Sequence, residues 1–438
     1  MSTRNSADQA LVREINLSLV MRYLLDRAPV SRAQIAQAIG LNKSTVSSLV
    51  EDLMERRLVH ETGINTVGTG RPATLLEINP QAGAIIGVAL GVDYLASAVT
   101  DFHGSILWHK STDADPCETV EVCLAQTLAL VRQAIDFCQS QSLHLLGLGL
   151  AAPGTIDLEQ GVLIFAPNLG WRDVPIKAFF SGETDLPVYV ENDANAAAVA
   201  EHLFGAARRS QNFIFVFAGV GIGGGLYLDG KLLRGNNGFA GEIGHAPIMM
   251  DAQQITCHCG NRGCWESYAS QGAILQRMRN RMAAHPDSLV QRLMAAQNSE
   301  LSIPILRQAA DAGDADALET LSEAGKAMGH GFAILINVLN PEKIILGGPL
   351  SVLGDYLLPT IKTTAIQHAL PDSGSRVEIT HACFGTDASL IGAVSIVVND
   401  ILSHPTLVER RQRNQKIQFK SPPYQTQFQS IKGEGSHV

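Results

Sequence analysis

The residues best able to do chemistry lie between Glu242 and Glu266. Cys257, Cys259 and Cys264 fall within eight residues, with Gly260 and Gly263 between them, and His245 precedes the first by twelve. Three thiolates and an imidazole complete the tetrahedral shell that Zn²⁺ prefers. A metal held wholly by protein ligands keeps no open position for a reacting water, so the predicted role is structural. His258 competes for the fourth position, although its place between two ligating cysteines would strain it. A second group of side chains suits a polyol. Glu242 lies three residues before His245 and Glu266 two after Cys264, while Glu191-Asn192-Asp193-Ala194-Asn195 sits where an apolar strand gives way to an Ala-rich helix. Carboxylates and amides offer paired acceptors and donors to adjacent hydroxyls. The sugar-binding candidates are therefore Asn192, Asp193, Glu242, His245 and Glu266, with Asn168 and Trp171 as further cleft candidates from Pro167-Asn168-Leu169-Gly170-Trp171. Asn192 and Asp193 also suit a helix cap, and capping is compatible with ligand contact. Gly219–Gly225 resembles a phosphate cradle, and equally the tight turn that packed lobes require. Cys117, Cys123, Cys138 and Cys383 read as small buried hydrophobes.

Two similar runs of elements must position these residues. Ala84–Leu90, Tyr94–Asp101 and Ser105–Ser111 read as successive strands, followed by a helix over Glu118–Gln139 and a buried strand over Leu145–Ala151. The order begins again at Phe213–Ala218, Gly225–Leu228 and Lys231–Leu233, with a later strand at Lys343–Leu346. The repetition predicts two related α/β lobes with a cleft between them: 81–192 with 385–404, and 193–384. Asp387–Leu402 is apolar nearly all round and should be a buried helix. From Pro405 the chain is rich in Gln, Lys and Pro with little periodicity, and residues 405–438 read as a basic, disordered tail.

Residues 1–80 read as a separate head. Leu11, Ile15, Leu19 and Leu24 recur at helical spacing until Pro29, Ser31 can cap a helix over Arg32–Ile39, and Gly40 separates it from a third over Lys43–Arg57. Ala36, Gly40, Val46 and Leu49 supply the small contact, the turn and the inner anchors of a helix-turn-helix. The outward face of the third helix carries Asn42, Lys43, Ser44, Thr45, Ser47 and Ser48, suited to base edges and phosphates in a major groove. Strands over Leu58–Thr62 and Thr74–Ile78 would form a wing whose tip offers Arg71 to a minor groove.

The charge divides along the same lines. The 438 residues carry a formal net charge of −9, which by itself argues against nucleic acid. Residues 1–80 hold nine Lys/Arg against eight Asp/Glu, residues 405–438 hold six against two, and 81–404 hold 18 against 32. A near-neutral head on an acidic body points to two tasks in one chain. Hydrophobic residues are 46% of the sequence, enough for a sizeable core, and no apolar run nears the roughly 18 residues of a membrane span. The polar Met1–Gln9 start is no signal peptide, and the seven cysteines form no secreted disulfide pattern, so a cytoplasmic protein is expected.

The assembled pattern resembles the ROK family (repressors, open reading frames and sugar kinases), specifically its repressor branch of xylose repressors and regulators responsive to glucose or N-acetylglucosamine phosphate. The motifs that carry it are the head ending in Gly70-Arg71-Pro72, Glu191–Asn195, Glu242-x-Gly-His245, and the cysteine knuckle followed by Glu266. The resemblance implies a winged helix-turn-helix followed by an actin-like, ribonuclease H-like two-lobed domain of α/β class. It also implies sugar on Asn192, Asp193, Glu242, His245 and Glu266, and zinc on His245, Cys257, Cys259 and Cys264. Kinase members carry Asp-x-Gly-Gly-Thr on the first strand. Here the stretch reads Ala89-Leu90-Gly91-Val92-Asp93: Ala89 replaces the acid that organises Mg²⁺, and Asp93 would repel phosphate. Gly347-Gly348-Pro349 also departs from the adenosine-side pattern, which leaves Asp193, the look-alike of the kinase base, without a phosphoryl donor. The expected function is a sugar-responsive repressor, not an enzyme. A homodimer, or a higher homo-oligomer, would bind palindromic operator DNA and respond to a neutral monosaccharide such as xylose or glucose. The competing readings are an ATP-dependent sugar kinase with a DNA-binding head and a regulator controlled by a protein partner.

Overall fold

A computed structural model describes residues 2–65, 73–115, 118–248 and 255–409. The head is built from α1 (Ser2–Arg27), β1 (Val30–Ser31), α2 (Arg32–Ile39), α3 (Lys43–Glu55), β2 (Val59–Asn65) and β3 (Ala73–Ile78). Ser31 starts α2 with a capping box to Gln34, satisfying helix-end donors reciprocally, and Gly40 ends it at φ 72°. The three strands pair in the order β1-β3-β2 beside the helices.

Three expectations for the head change. The buried stripe of α1 is Leu17, Val20, Met21 and Leu24, whereas Leu11, Ile15 and Leu19 are 62%, 51% and 44% exposed. Apolar residues occupy two faces of this helix, and periodicity cannot tell which one meets the core. The third helix stops at Glu55 rather than Arg57, which sits in the left-handed region at φ 62°. The wing tip with Arg71 lies outside the described residues, as do Cys117 and the tail beyond Glu409.

The first lobe contains β4 (Ala84–Leu90), β5 (Tyr94–Thr100), β6 (Ile106–Asp113), α4 (Val120–Ser140), β7 (Leu145–Ala152), β8 (Thr155–Asp157), β9 (Val162–Ala166), β10 (Trp171–Val174), α5 (Ile176–Glu183) and β11 (Val188–Asn192). Then come α6 (Asp193–Leu203), β12 (Phe213–Ala218), β13 (Ile222–Leu228), β14 (Lys231–Leu232), α7 (Glu266–Ala269), α8 (Gln271–Ala284), α9 (Leu289–Gln297), α10 (Ile303–Asp311) and α11 (Ala315–Leu339). The chain continues with β15 (Lys343–Gly347), α12 (Gly354–His368), α13 (Pro371–Gly374), β16 (Glu378–His381) and α14 (Ala388–Ser403).

The two main sheets have one topology. The first runs β6-β5-β4-β7-β11 and the second β14-β13-β12-β15-β16: in each, an antiparallel three-strand meander continues into two parallel strands. This is the duplicated α/β architecture of actin-like folds. Between the sheets, α6 and α14 pack so closely that a Cβ on Gly392 would lie 2.5 Å from the Ala196 carbonyl carbon. The stretch Gly385–Ser403 is apolar and long enough to cross a membrane, yet α14 is a core helix, with Leu390, Val394, Val397 and Leu402 buried.

Four further readings are corrected. Gly223–Gly225 lie inside β13 rather than in a loop, because α6 crosses that strand: a Cβ on Gly225 would lie 2.4 Å from Ala198 Cβ. Trp171 opens β10 and is buried in the first-lobe core, away from the cleft. Cys383 is exposed, unlike Cys123 and Cys138, which are buried as expected. The other strands and helices shift by a few residues at their ends, as fraying termini allow.

Candidate functional site

One pocket lies between the lobes. Its wall brings together Gly91–Tyr94, Asn168, Glu191–Asp193, Asn195, Gly221–Gly224, Gly241, Glu242, His245, Glu266 and Pro349. All six sugar-binding candidates are on this surface.

Each side chain is held by its local fold. Asn192 ends β11 and caps α6: its Oδ1 accepts from Ala194 N (3.0 Å) and Asn195 N (3.1 Å), while Nδ2 donates to Gly154 O (3.0 Å). Its amide is therefore largely spent on fixing the helix end. Asp193 follows as the first helical residue, and its Oδ1 accepts from Ala194 N at 2.8 Å. Burial pushes the Asp193 carboxyl up to about 7; the Ala194 N–H opposes this and the like charge of Glu242 adds to it. Glu242 is itself raised, mainly by burial; His245 acts against the shift and Glu266 with it. A pocket holding three carboxylates and no lining Lys or Arg favours a neutral ligand with several hydroxyl donors over an anionic one.

Several lining residues escaped sequence reasoning. Asn195 is 3% exposed, and its Oδ1 is buried without a protein donor, a vacancy that a ligand hydroxyl would fill. Glu191 is buried and ion-paired to Arg234 Nη1 at 2.6 Å. Tyr94 lines the pocket, with its phenol pushed up by burial first and by Asp193 second. Asp93, at the former hydroxyl position of the first-strand loop, accepts from Gln271 Nε2 at 3.3 Å. Asn195 was legible in its motif; the others depend on contacts between distant segments.

The metal-binding candidates converge beside this pocket. One ligand atom from each of His245, Cys257, Cys259 and Cys264 lies within 4.8 Å of all the others. Cys257 Sγ is 3.6 Å from His245 Nδ1, and Cys259 Sγ is 3.8 Å from Cys264 Sγ. Tetrahedral zinc with Zn–S of about 2.3 Å and Zn–N of about 2.0 Å requires edges of about 3.6 and 3.8 Å. The donor set fits. His258 is outside it: its Nδ1 lies 3.1 Å from Asn168 Oδ1, joining the knuckle to the opposite lobe. His245 faces two ways, Nδ1 toward the cysteines and Nε2 toward Glu242 at 3.8 Å. Glu266 Oε1 accepts from Cys257 Sγ at 2.8 Å, which ties a pocket carboxylate to the cluster.

On the head, Asn42, Lys43, Ser44 and Ser48 are exposed, while Thr45 and Ser47 are half-buried. Asn42 is the N-cap of α3, accepting from Thr45 N at 2.8 Å and from Ser44 Oγ at 2.7 Å. Ser47 Oγ donates to Lys43 O at 2.9 Å. Asn42 and Ser47 thus shape the helix end, leaving Lys43, Ser44 and Ser48 as the freest donors of the set.

Residues 85–400 match the ROK family, and residues 18–63 match the IclR helix-turn-helix domain. The xylose repressor of Caldicellulosiruptor bescii is 32% identical over 399 residues, 91% of this chain and 99% of that protein. A crystal structure of a ROK family transcriptional regulator, a homologue of the E. coli Mlc protein, superposes with a TM-score of 0.77 at 29% identity, covering 91% of this chain and 99% of that one. A ROK family glucokinase from Streptomyces griseus, solved with glucose and AMPPNP, superposes at 0.66 with 31% identity, covering 72% of this chain and 99% of that one.

Proposed function

The chain belongs to the ROK family, and from that footing we propose that it is a sugar-responsive transcriptional repressor whose effector occupies the interlobe pocket. The observation that carries this reading is the position of α6. Its first turn presents Asn192, Asp193 and Asn195 to the pocket, and the segment after its last turn holds the head: Arg208 donates to Leu25 O (3.1 Å) and Arg209 to Asp26 O (3.2 Å). Beside it, α14 receives Arg22 of α1 through Ser403 Oγ (2.7 Å) and Asn399 Oδ1 (3.4 Å). A ligand that closes the lobes moves the elements on which the head is seated. To act as an effector it must favour one state: each 1.4 kcal/mol or so of preference changes operator affinity about tenfold.

The effector we infer is a neutral aldose, xylose or glucose, hydrogen-bonded by Asp193, Asn195, Glu242, His245 and Glu266, with Asn168 at the rim. Zinc on His245, Cys257, Cys259 and Cys264 would act as a staple, fixing the loop that carries His245 and Glu266. Two heads on a palindromic operator require a dimer, and Ile334, Val338, Ile366 and Leu370 offer a face for the second copy: they are exposed aliphatics on α11, on α12 and just beyond it, with Val338 72% and Leu370 64% exposed. The working compartment is the cytoplasm. Sugar kinase activity is disfavoured by Ala89 and by Asp93, whose negative charge stands in the pocket wall where a phosphate would pass.

The test begins with duplexes selected by the purified protein from a random library. Xylose, glucose and N-acetylglucosamine at millimolar concentration are then added to a gel shift on the selected DNA. Release by one of them is expected. No selected duplex, or no response to any monosaccharide, overturns the reading, and ADP release abolished by Asp193→Asn would establish the kinase instead.

A further inference from the structure

The chain returns to the DNA-binding head at its far end. After α14, the turn Pro405–Leu407 packs on α1, and Val408 is buried in the apolar cluster that includes head residues Leu17, Val50 and Leu53. Thr406 N donates to Glu14 Oε1 of α1 at 3.3 Å. Arg56, the C-cap of α3, donates from Nη1 to Thr406 O (3.1 Å) and to Val408 O. The anchor is itself braced: Asp52, 3% exposed, accepts from Arg56 Nε and from Arg13 Nη2, each at 2.9 Å. The chain beyond Glu409 is therefore released beside α3, not at the outer end of the acidic body.

That segment opens with a dense run of cations. Arg410, Arg411, Arg413, Lys416 and Lys420 fall within eleven residues, and no Asp or Glu occurs from 410 until Glu434. The head proper has a net charge of only +1 over residues 1–80. Sequence-independent attraction to duplex DNA scales with the number of phosphates neutralised, so a near-neutral head lacks much of it. Reach does not limit the arrangement: α3 is 13 residues, about 20 Å from its C-cap to its exposed first turn, and eleven residues can span about 36 Å.

Resting on the reading of the head as the operator-binding element, we propose that residues 410–420 are a second DNA contact, gripping phosphates that flank the site read by α3 without selecting sequence. The competing destination for these cations is the chain's own body, net −14 over 81–404, which would make the tail a rival of DNA rather than a partner.

The experiment compares three proteins: the full chain, the full chain with Arg410, Arg411, Arg413, Lys416 and Lys420 changed to Gln, and a chain ending at Glu409. Each is titrated by fluorescence anisotropy onto a labelled 30-base-pair random-sequence duplex and onto a selected operator, from 50 to 300 mM KCl. At about 0.9 in the log–log salt slope per phosphate contact, five cations should make the slope shallower by about 3 to 5 in both altered proteins. Affinity at 100 mM should fall at least tenfold for both duplexes, with the operator-to-random ratio unchanged. An unchanged slope refutes the proposal, and so does a loss confined to the operator. Tighter DNA binding by the Gln variant also refutes it and assigns the tail to the body. A full chain that binds neither duplex refutes the reading of the head as well, so the two failures are distinguishable. Unchanged melting temperatures verify that the Val408 anchor is intact.

Discussion

Removing the charge of Asp193 should change stability and sugar binding in opposite directions. Its carboxyl titrates near 7 in the folded protein because burial penalises the anion, against about 3.8 when exposed. The native state therefore holds a proton that the unfolded chain has lost over the window from about pH 4 to 7, and this contribution to stability falls as pH rises through it. Between pH 5 and pH 8 the linkage amounts to about two pH units of differential titration, or about 3 kcal/mol. Asp193→Asn has nothing to titrate and keeps an oxygen for the Ala194 N–H. A body of some 300 residues unfolds with an entropy of roughly 0.6–0.7 kcal/mol/K, so 3 kcal/mol corresponds to about 4 °C. The melting temperature of Asp193→Asn minus that of the parent should accordingly become about 4 °C more positive between pH 5 and pH 8, measured by scanning calorimetry in matched buffers. The same variant should lose at least tenfold in xylose or glucose affinity at pH 8. A difference that stays flat with pH, or narrows, would show that Asp193 is solvated and refute the burial argument, whatever happens to the sugar.

The parent's sugar affinity should fall as pH drops below 7, since the carboxylate form accepts the sugar hydroxyl; titration calorimetry at pH 6 and pH 8 checks this. About one zinc per chain is expected by elemental analysis, and Cys259→Ser should lose it together with several degrees of melting temperature; a variant that keeps both refutes the staple. Removing zinc with a chelator should also weaken sugar binding, because His245 and Glu266 belong to the pocket and contact the cluster. Val338→Glu places a charge on the exposed face of α11 and should shift the protein toward monomer in analytical ultracentrifugation. Asp52→Ala strips Arg13 and Arg56 of a buried partner and should cost about 3 kcal/mol, read as a lower melting temperature of the head.

Local rules made much of this protein legible in its sequence. The capping box at Ser31, the turn at Gly40 and the N-cap at Asn42 act within four residues, and the helix-turn-helix follows from them. The cysteine knuckle is equally local, because ligands a few residues apart on a Gly-rich loop have few ways to avoid one another. The repeated meanders were visible as well, since strand alternation and turn residues recur in each lobe. Ambiguity began where a local pattern had two solutions. In α1 both faces carry aliphatic residues, and Gly219–Gly225 suited a phosphate cradle as well as a strand.

The sequence by itself therefore determined the element types, the duplicated lobes, the ligand types and the unequal distribution of charge. Only the tertiary structure decided which groups meet. His258 lies against Asn168, 90 residues away; Asp93 lies against Gln271, 178 away; and Arg56 lies against Val408, 352 away. The physical reason is that such contacts are set by packing two sheets about α6 and α14, where glycines permit close approach and buried polar atoms must find partners. No periodicity along the chain encodes that packing, and it is what raises the Asp193 pKa, removes His258 from the metal set and brings the basic tail to the DNA-binding head.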